Sequence, residues 1–396
     1  MPINAYPTAW ARHDAVRAAA ARWLKQGFVA AEQRAAINEA HAVDYYRPNI
    51  FLRIGLFIFT CIGAAAAAGT VALFTEPLHS VAAILLVCGL GALGVLELLI
   101  HSSRHYHSGV DTALLYTALL SFAGLLGYEY FDSHGGASFE SFVWGNGASG
   151  FWLLLALLLL FGAATLRYAD RLVAALTYFA YLAIVARLLL HLPAGQLLLP
   201  FTLMLASMAA YFFSEKARQR ADVYYYEVVL DVIKFLALIS FYLAGNYLIV
   251  REGNAALTNF PVSVQIPLAP LFCFFTVVVP LAYIYFGLRQ ANRMLLLVGL
   301  GVVCFSIYTY RFYHSLLPPE IAAGLAGLVL IAGAAAALRY LHTPKHGLTA
   351  AADDDEPHFN LESLIVAQTA TAPAAHTPGF EFGGGQSGGG GATGQF

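Results

Sequence analysis

Charge is what this sequence has least of. Only 11% of its 396 residues are Asp, Glu, Lys or Arg, against about a quarter in soluble domains. That shortage excludes an ordinary water-soluble domain and points to a bilayer as solvent. The net charge of −2 gives no reason to expect a nucleic-acid partner. Cysteine is scarce too. Cys61, Cys88, Cys273 and Cys304 each sit in an apolar run, and no CxxC pair occurs. A disulfide framework or thiolate metal centre is not expected, and the four read as small buried hydrophobes. No P-loop, GxSxG, HExxH or dinucleotide fingerprint is present, so no cofactor is expected. The opening PINAYPTAWARHDAV is polar and charged. It does not read as a cleavable leader, and the first span is expected to act as its own insertion signal.

What the chain does have is long apolar runs. Hydrophobic residues make up 59% of it, and mean hydropathy is +0.67. Ten segments approach the roughly 20 residues needed to cross a bilayer. They lie near 51–74, 79–101, 109–129, 149–166, 170–190, 196–213, 228–250, 267–287, 293–313 and 319–341. With an even number of spans and the N-terminus inside, 17 of the 21 Lys and Arg fall in cytoplasmic segments. The positive-inside bias thus places both termini in the cytoplasm. The expected fold is an all-α polytopic membrane protein of ten spans.

Three domains follow: a cytoplasmic α-hairpin over 1–48, a transmembrane body over 49–343 and a tail over 344–396. In the hairpin, Val16, Ala20, Trp23 and Leu24 keep a helical spacing and Gly27 ends the first helix. A second helix follows around Glu32, Gln33 and Arg34. The hairpin is too short for a core of its own, so it packs on the membrane body or on another protomer. The tail runs from AADDDEP through NLESLIVAQ, with Asn360 as a possible helix cap, to GFEFGGGQSGGGGATGQF. It cannot bury enough apolar area to offset its ordering entropy, and disorder is expected.

The stretch WLKQGFVAAEQRAAI resembles the entry motif of bacterial predicted membrane proteins of the "domain of unknown function 2157" family. The matching positions are Leu24, Gly27, Phe28, Val29, Glu32, Gln33 and Ile37. The family has no established activity. The resemblance implies a multi-span protein of the bacterial cytoplasmic (inner) membrane with a cytoplasmic hairpin. The ending FGGGQSGGGGATGQF is similar to the Gly-rich terminus of bacterial membrane proteins bearing a TPM domain, but no TPM domain is present here.

Polar residues inside the spans are the candidate sites. At 100° per residue, Asp231, Lys234, Tyr242 and Asn246 form a stripe about 120° wide on the seventh span. A charge at mid-membrane costs roughly 2.5–3.5 kcal/mol on insertion scales. Asp231 and Lys234, spaced i,i+3, can pair with each other. The stripe reads either as a structural contact or as the wall of a proton or ion path. Glu97, His101 and His105 share a helical face if the helix continues, a pattern that suits a proton relay or a metal, or else an ordinary polar loop. Arg187 and Arg311, near the outer ends of their spans, suit an anion or simply the interface. The outer-loop residues Glu129, Asp132, His134 and Glu140 are those an outer-face enzyme would use. Lys216, Arg218 and Arg220 are expected to meet anionic lipid.

Three functions are compatible with this pattern. One is a transporter or permease whose cavity is lined by the stripe. Another is an envelope scaffold or sensor that recruits a protein partner through hairpin or tail. The third is a membrane enzyme acting on a lipid-linked substrate. Membrane lipids are expected partners in every case.

Overall fold

The computed structural model describes residues 4–75, 80–135, 148–219, 223–257, 265–290 and 292–313, with isolated positions between 321 and 339. Most of the tenth expected span, residues 136–147 of the outer loop, Arg220 and the tail lie outside the described residues. Twelve helices are described and, among these residues, no strand. They are α1 (Thr8–Lys25), α2 (Ala31–Ala40), α3 (Ile50–Thr75), α4 (Val81–Ser103), α5 (Val110–Ser133), α6 (Ala148–Tyr168), α7 (Arg171–Leu190), α8 (Gly195–Ala217), α9 (Val223–Gly245), α10 (Tyr247–Leu257), α11 (Ala269–Arg289) and α12 (Arg293–Tyr313).

Among the described residues, nine of these helices are long and apolar enough to cross a bilayer. The chain is an all-α, multi-pass integral membrane protein. α3 shows why water cannot be its solvent. None of its central residues is buried, and Phe59 and Phe74 are 79% and 81% exposed. An apolar surface of this extent is stable only against lipid.

Several polar side chains sit at helix starts, where orphan backbone groups need partners. Asn49 accepts from the Leu52 amide, Ser80 from Ala83, Asp170 from Leu172 and Val173, and Asn292 from Leu295. α1 stops at Gly27, whose φ of +75° is the left-handed conformation that suits a helix stop.

Sequential helices pack as neighbours: α4 with α5, α6 with α7, α8 with α9, and α11 with α12. α9 is the hub, touching α1, α7, α8, α10, α11 and α12, while α5 joins α3, α4 and α6. The hairpin therefore rests on the membrane body through α1. The turns at 104–109 and 167–170 gather on its side of the molecule, the side to which the charge bias assigns the cytoplasm. The cysteines correct an expectation. All four are free, but Cys273 and Cys304 are exposed on the helix surface rather than buried.

The seventh span also differs from a single helix over 228–250. It starts at Val223, stops at Gly245 and resumes at Tyr247. Asn246 is the break. Its Oδ1 accepts from the amides of Leu248 and Ile249, starting α10 as a cap. Its Nδ2 donates to the Tyr242 hydroxyl at 2.8 Å and to Thr309 Oγ1 at 3.0 Å. Pro280 has no amide proton and so leaves the Thr276 carbonyl free. Ser306 donates to that carbonyl at 2.7 Å and shares a hydrogen bond with Tyr242. Thr276 Oγ1 accepts the Tyr247 amide. The outer half of the stripe is thus a closed polar knot joining α9, α10, α11 and α12. A buried amide left without partners costs a few kcal/mol, and here every polar atom of the Asn246 side chain has one.

Asn246→Ala removes the cap and strands Tyr242 and Thr309. It is expected to destabilise the protein by about 1–3 kcal/mol, read as a lower Tm of the detergent-solubilised chain. An unchanged Tm would show that the knot contributes nothing.

Candidate functional site: a cleft beneath the N-terminal segment

The inner half of the stripe is occupied by ion pairs, but not the pair that the i,i+3 spacing suggests. Asp231 accepts from Arg218 and Lys234 donates to Glu215. Both partners come from the end of α8. α8 and α9 pack on each other and are close in sequence, so the end of α8 lies level with the start of α9. Lys234 is only 6% exposed, with its ammonium 5.3 Å from the Tyr211 ring. Burial against α8 gives it Glu215 in place of Asp231. Arg218, expected at the lipid surface, is committed to this contact. The four stripe residues fall into two separately satisfied clusters.

Glu97 has different partners from those its spacing suggests. Its carboxylate takes a two-pronged bond from Arg167, Nε to Oε1 at 2.8 Å and Nη2 to Oε2 at 2.7 Å. The Tyr168 hydroxyl donates to the same Oε1. A forked Arg–carboxylate pair is strong and fixes geometry. It ties the inner end of α4 to the inner end of α6. His101 stays beside Glu97, with Nδ1 3.8 Å from Oε2. His105 does not join them: α4 ends at Ser103, Arg104 turns left-handed at φ 48°, and His105 Nδ1 meets Ser108 Oγ at 2.8 Å. Among the described residues no cluster of three His, Cys, Asp or Glu is placed to hold a metal.

Arg167 also organises the N-terminal segment, through its backbone. Its carbonyl, near the end of α6, accepts the Ala5 amide at 2.8 Å and the Tyr225 hydroxyl. The adjacent Leu166 carbonyl accepts Tyr226, which also donates to Asn4. Residues 4–6 thus satisfy helix-end groups and are drawn in: Ala5 and Tyr6 are 7% and 4% exposed. Tyr6 donates to Asp111 Oδ2 at 2.8 Å. Asp111 is itself buried. Its Oδ1 collects the amides of Ser108, Gly109 and Thr112 at the start of α5. Gly109 must be glycine, because its φ is +96° and a Cβ would collide with the Arg53 carbonyl. Around this anchor Tyr6, Trp10, Tyr45, Tyr106 and His107 form an aromatic cluster, with ring centres 4.6–6.4 Å apart in the contacting pairs. Burial pushes the Tyr6 phenol well above its ordinary value, and Asp111 beside it acts in the same direction. Burial likewise pushes Tyr106 up to about 12.

Beneath this segment α4, α5 and α6 enclose a cleft of about 1470 Å³. Its mouth carries Asn4, His13, Asp44, His101 and Arg104, and the Glu97–Arg167 bridge crosses it. Deeper in, the lining is apolar, with Leu93, Leu119, Phe122 and Leu160. None of the stripe residues lines it. Sequence reasoning missed the cleft, Arg167 and Asp111. The capping pattern Ser108-Gly-Val-Asp111 ahead of an apolar run was the available signal for the last.

The other candidate residues are dispersed. Arg187 is 6% exposed and lies against Gly150 at the start of α6. Its helix packs mainly on α6, α8 and α9, whereas Arg311 sits on α12 beside α11 and α9. Glu129 and Asp132 belong to the last turns of α5, His134 follows them with its ring on Tyr130, and Glu140 lies outside the described residues. Set against protein-family models, curated proteins and solved structures, the chain matches none.

His107 makes the anchor pH-sensitive. Burial pulls its imidazole below the ordinary 6.5; Asp111 and Asp170 oppose the shift, while Arg53 and Arg47 add to it. A base with a lowered folded pKa stays neutral in the folded state. The unfolded imidazole takes up a proton below 6.5 that the folded one refuses, so stability falls as pH drops through that value. In a chain keeping only Trp10, iodide quenching is expected to rise between about pH 7.5 and about pH 5.5. The rise is expected to vanish in His107→Gln. Equal pH dependence in both chains would remove His107 from the anchor.

Proposed function

We propose that the protein is a transporter or permease-like protein of the bacterial cytoplasmic membrane and that its substrate site is the cleft among α4, α5 and α6. The observation that carries this reading is the cleft itself, with a polar mouth, an apolar interior at membrane depth and a peptide segment drawn across its inner end. Drug-sized sites run to roughly 300–1,000 Å³, and this one is larger. The stripe of the seventh span has a different role in this proposal. Its ion pairs and polar knot hold α9 to its neighbours, and the interruption at Asn246 gives that span a joint of the kind discontinuous transporter helices use.

Recruitment of a cytoplasmic partner is a second reading, favoured by the hairpin surface. No residue of α2 is buried, and Phe28 in the turn before it is 77% exposed.

Position 163 tests the first reading. Ala163 lines the cleft one turn deeper than Arg167. With the four native cysteines replaced, Ala163→Cys is expected to react with membrane-impermeant thiol reagents from the cytoplasmic side, and more slowly from the outer side as the protein cycles. Reaction from the cytoplasmic side alone under every condition would contradict transport and leave a one-sided binding cleft.

A further inference from the structure

The cleft has the depth of one membrane leaflet. Leu93 and Arg104, at its deep and shallow ends on α4, are 11 residues apart, or about 16 Å along a helix axis. That is close to half of the roughly 30 Å hydrocarbon thickness. An amphiphile standing in the inner leaflet would place its chains against Leu93, Phe122 and Leu160 and its head level with His101 and Arg104.

The mouth also limits the charge of the head. Arg167 and Glu97 are committed to each other by the forked bond. Besides the imidazoles of His13 and His101, the mouth carries Arg104 and Asp44, paired at 2.6 Å with both side chains 58% exposed. Pairs this exposed hold weakly and exchange partners readily. A purely anionic head that took Arg104 would strand Asp44. A purely cationic head would strand Arg104. A head that carries a phosphate beside a primary ammonium replaces the pair charge for charge: the guanidinium bonds the phosphate in a fork, and the carboxylate accepts from the ammonium. A trimethylated ammonium has no N–H to donate. The two helix C-termini at this mouth, those of α4 and α6, also favour a cationic group over a bare anion.

From depth, volume and paired charge, we infer that the cleft holds one zwitterionic phospholipid of the inner leaflet, with a phosphate and a primary amine in its head. The phosphate lies at Arg104 beside His101, the ammonium at Asp44, and the chains in the apolar groove. The inference rests on the reading of the cleft as a substrate site and adds the class of molecule.

Native mass spectrometry of the purified full-length chain tests it without any transport step, so lipid binding and transport can fail separately. The probes are phosphatidylethanolamine, phosphatidylcholine and phosphatidylglycerol with identical chains. One phosphatidylethanolamine per chain is expected to be retained in preference to the other two. Ala163→Phe, at an exposed position of the cleft wall, is expected to lower retention about tenfold. Asp44→Asn, on the surface, is expected to erase the preference for the ethanolamine head while chain binding persists. Equal or better retention of phosphatidylglycerol by the unaltered chain would overturn the zwitterionic head. Unchanged retention in Ala163→Phe would overturn the cleft as the site. Selectivity that survives Asp44→Asn would overturn the assigned head contact.

Discussion

Arg167 is the residue on which the inner half of this molecule depends. Its side chain joins α6 to α4 through Glu97, and its carbonyl receives both the N-terminal segment and the start of α9. Two interaction types meet at one helix end. The guanidinium supplies a directional, charge-assisted bond, and the backbone supplies an orphan acceptor that must be satisfied away from water. Without the first, α4 and α6 lose their only described charged tie across the cleft. Without the second, residues 4–6 lose one of the bonds that hold them, leaving Tyr6 to Asp111 and its ring contacts.

The same economy recurs through the fold. A chain with so few polar groups uses them at helix termini and at breaks. Asp111, Asp170, Asn246 and Asn292 each start a helix by accepting backbone amides. Two of these caps extend to a tyrosine from elsewhere in the chain: Tyr6 to Asp111 and Tyr116 to Asp170. A carboxylate that caps a helix also draws in a phenol, because a buried acceptor with a spare lone pair gains from a donor. The side of the molecule that carries residues 4–6 is consequently aromatic, while the exposed surface of α3 is mostly apolar.

Some of this was legible in the residues and some was not. Nine of the ten expected spans are matched among the described residues and were legible from hydropathy, because lipid is an unforgiving solvent. The hairpin turn at Gly27 was readable from spacing. Glu97 was recognisable as an unusual residue, but its partners are 70 and 71 residues further on, beyond any helical period, and the nearby histidines drew attention instead. Asp231 and Lys234 stood out for the same reason and proved to face α8, because the burial of Lys234, which no spacing reveals, decides the partner. Asn246 was placed on a continuous stripe, whereas the preceding Gly245 and its capping chemistry mark a break. The cleft had no signature, since Ala118, Ala163 and Ala164 make room for it from helices far apart in the chain.

The Glu97–Arg167 bridge crosses the mouth of a lipid-sized cleft and ties its two walls, α4 and α6, together. The most direct measurement is the distance between spin labels at Leu98→Cys on α4 and Leu166→Cys on α6, both on exposed helix surfaces. The native cysteines are replaced, and the distance is recorded with Glu97 present and with Glu97→Gln. One narrow distance is expected in the first case and a longer, broader distribution in the second. Identical distributions would mean that packing alone sets the cleft and that the bridge is incidental.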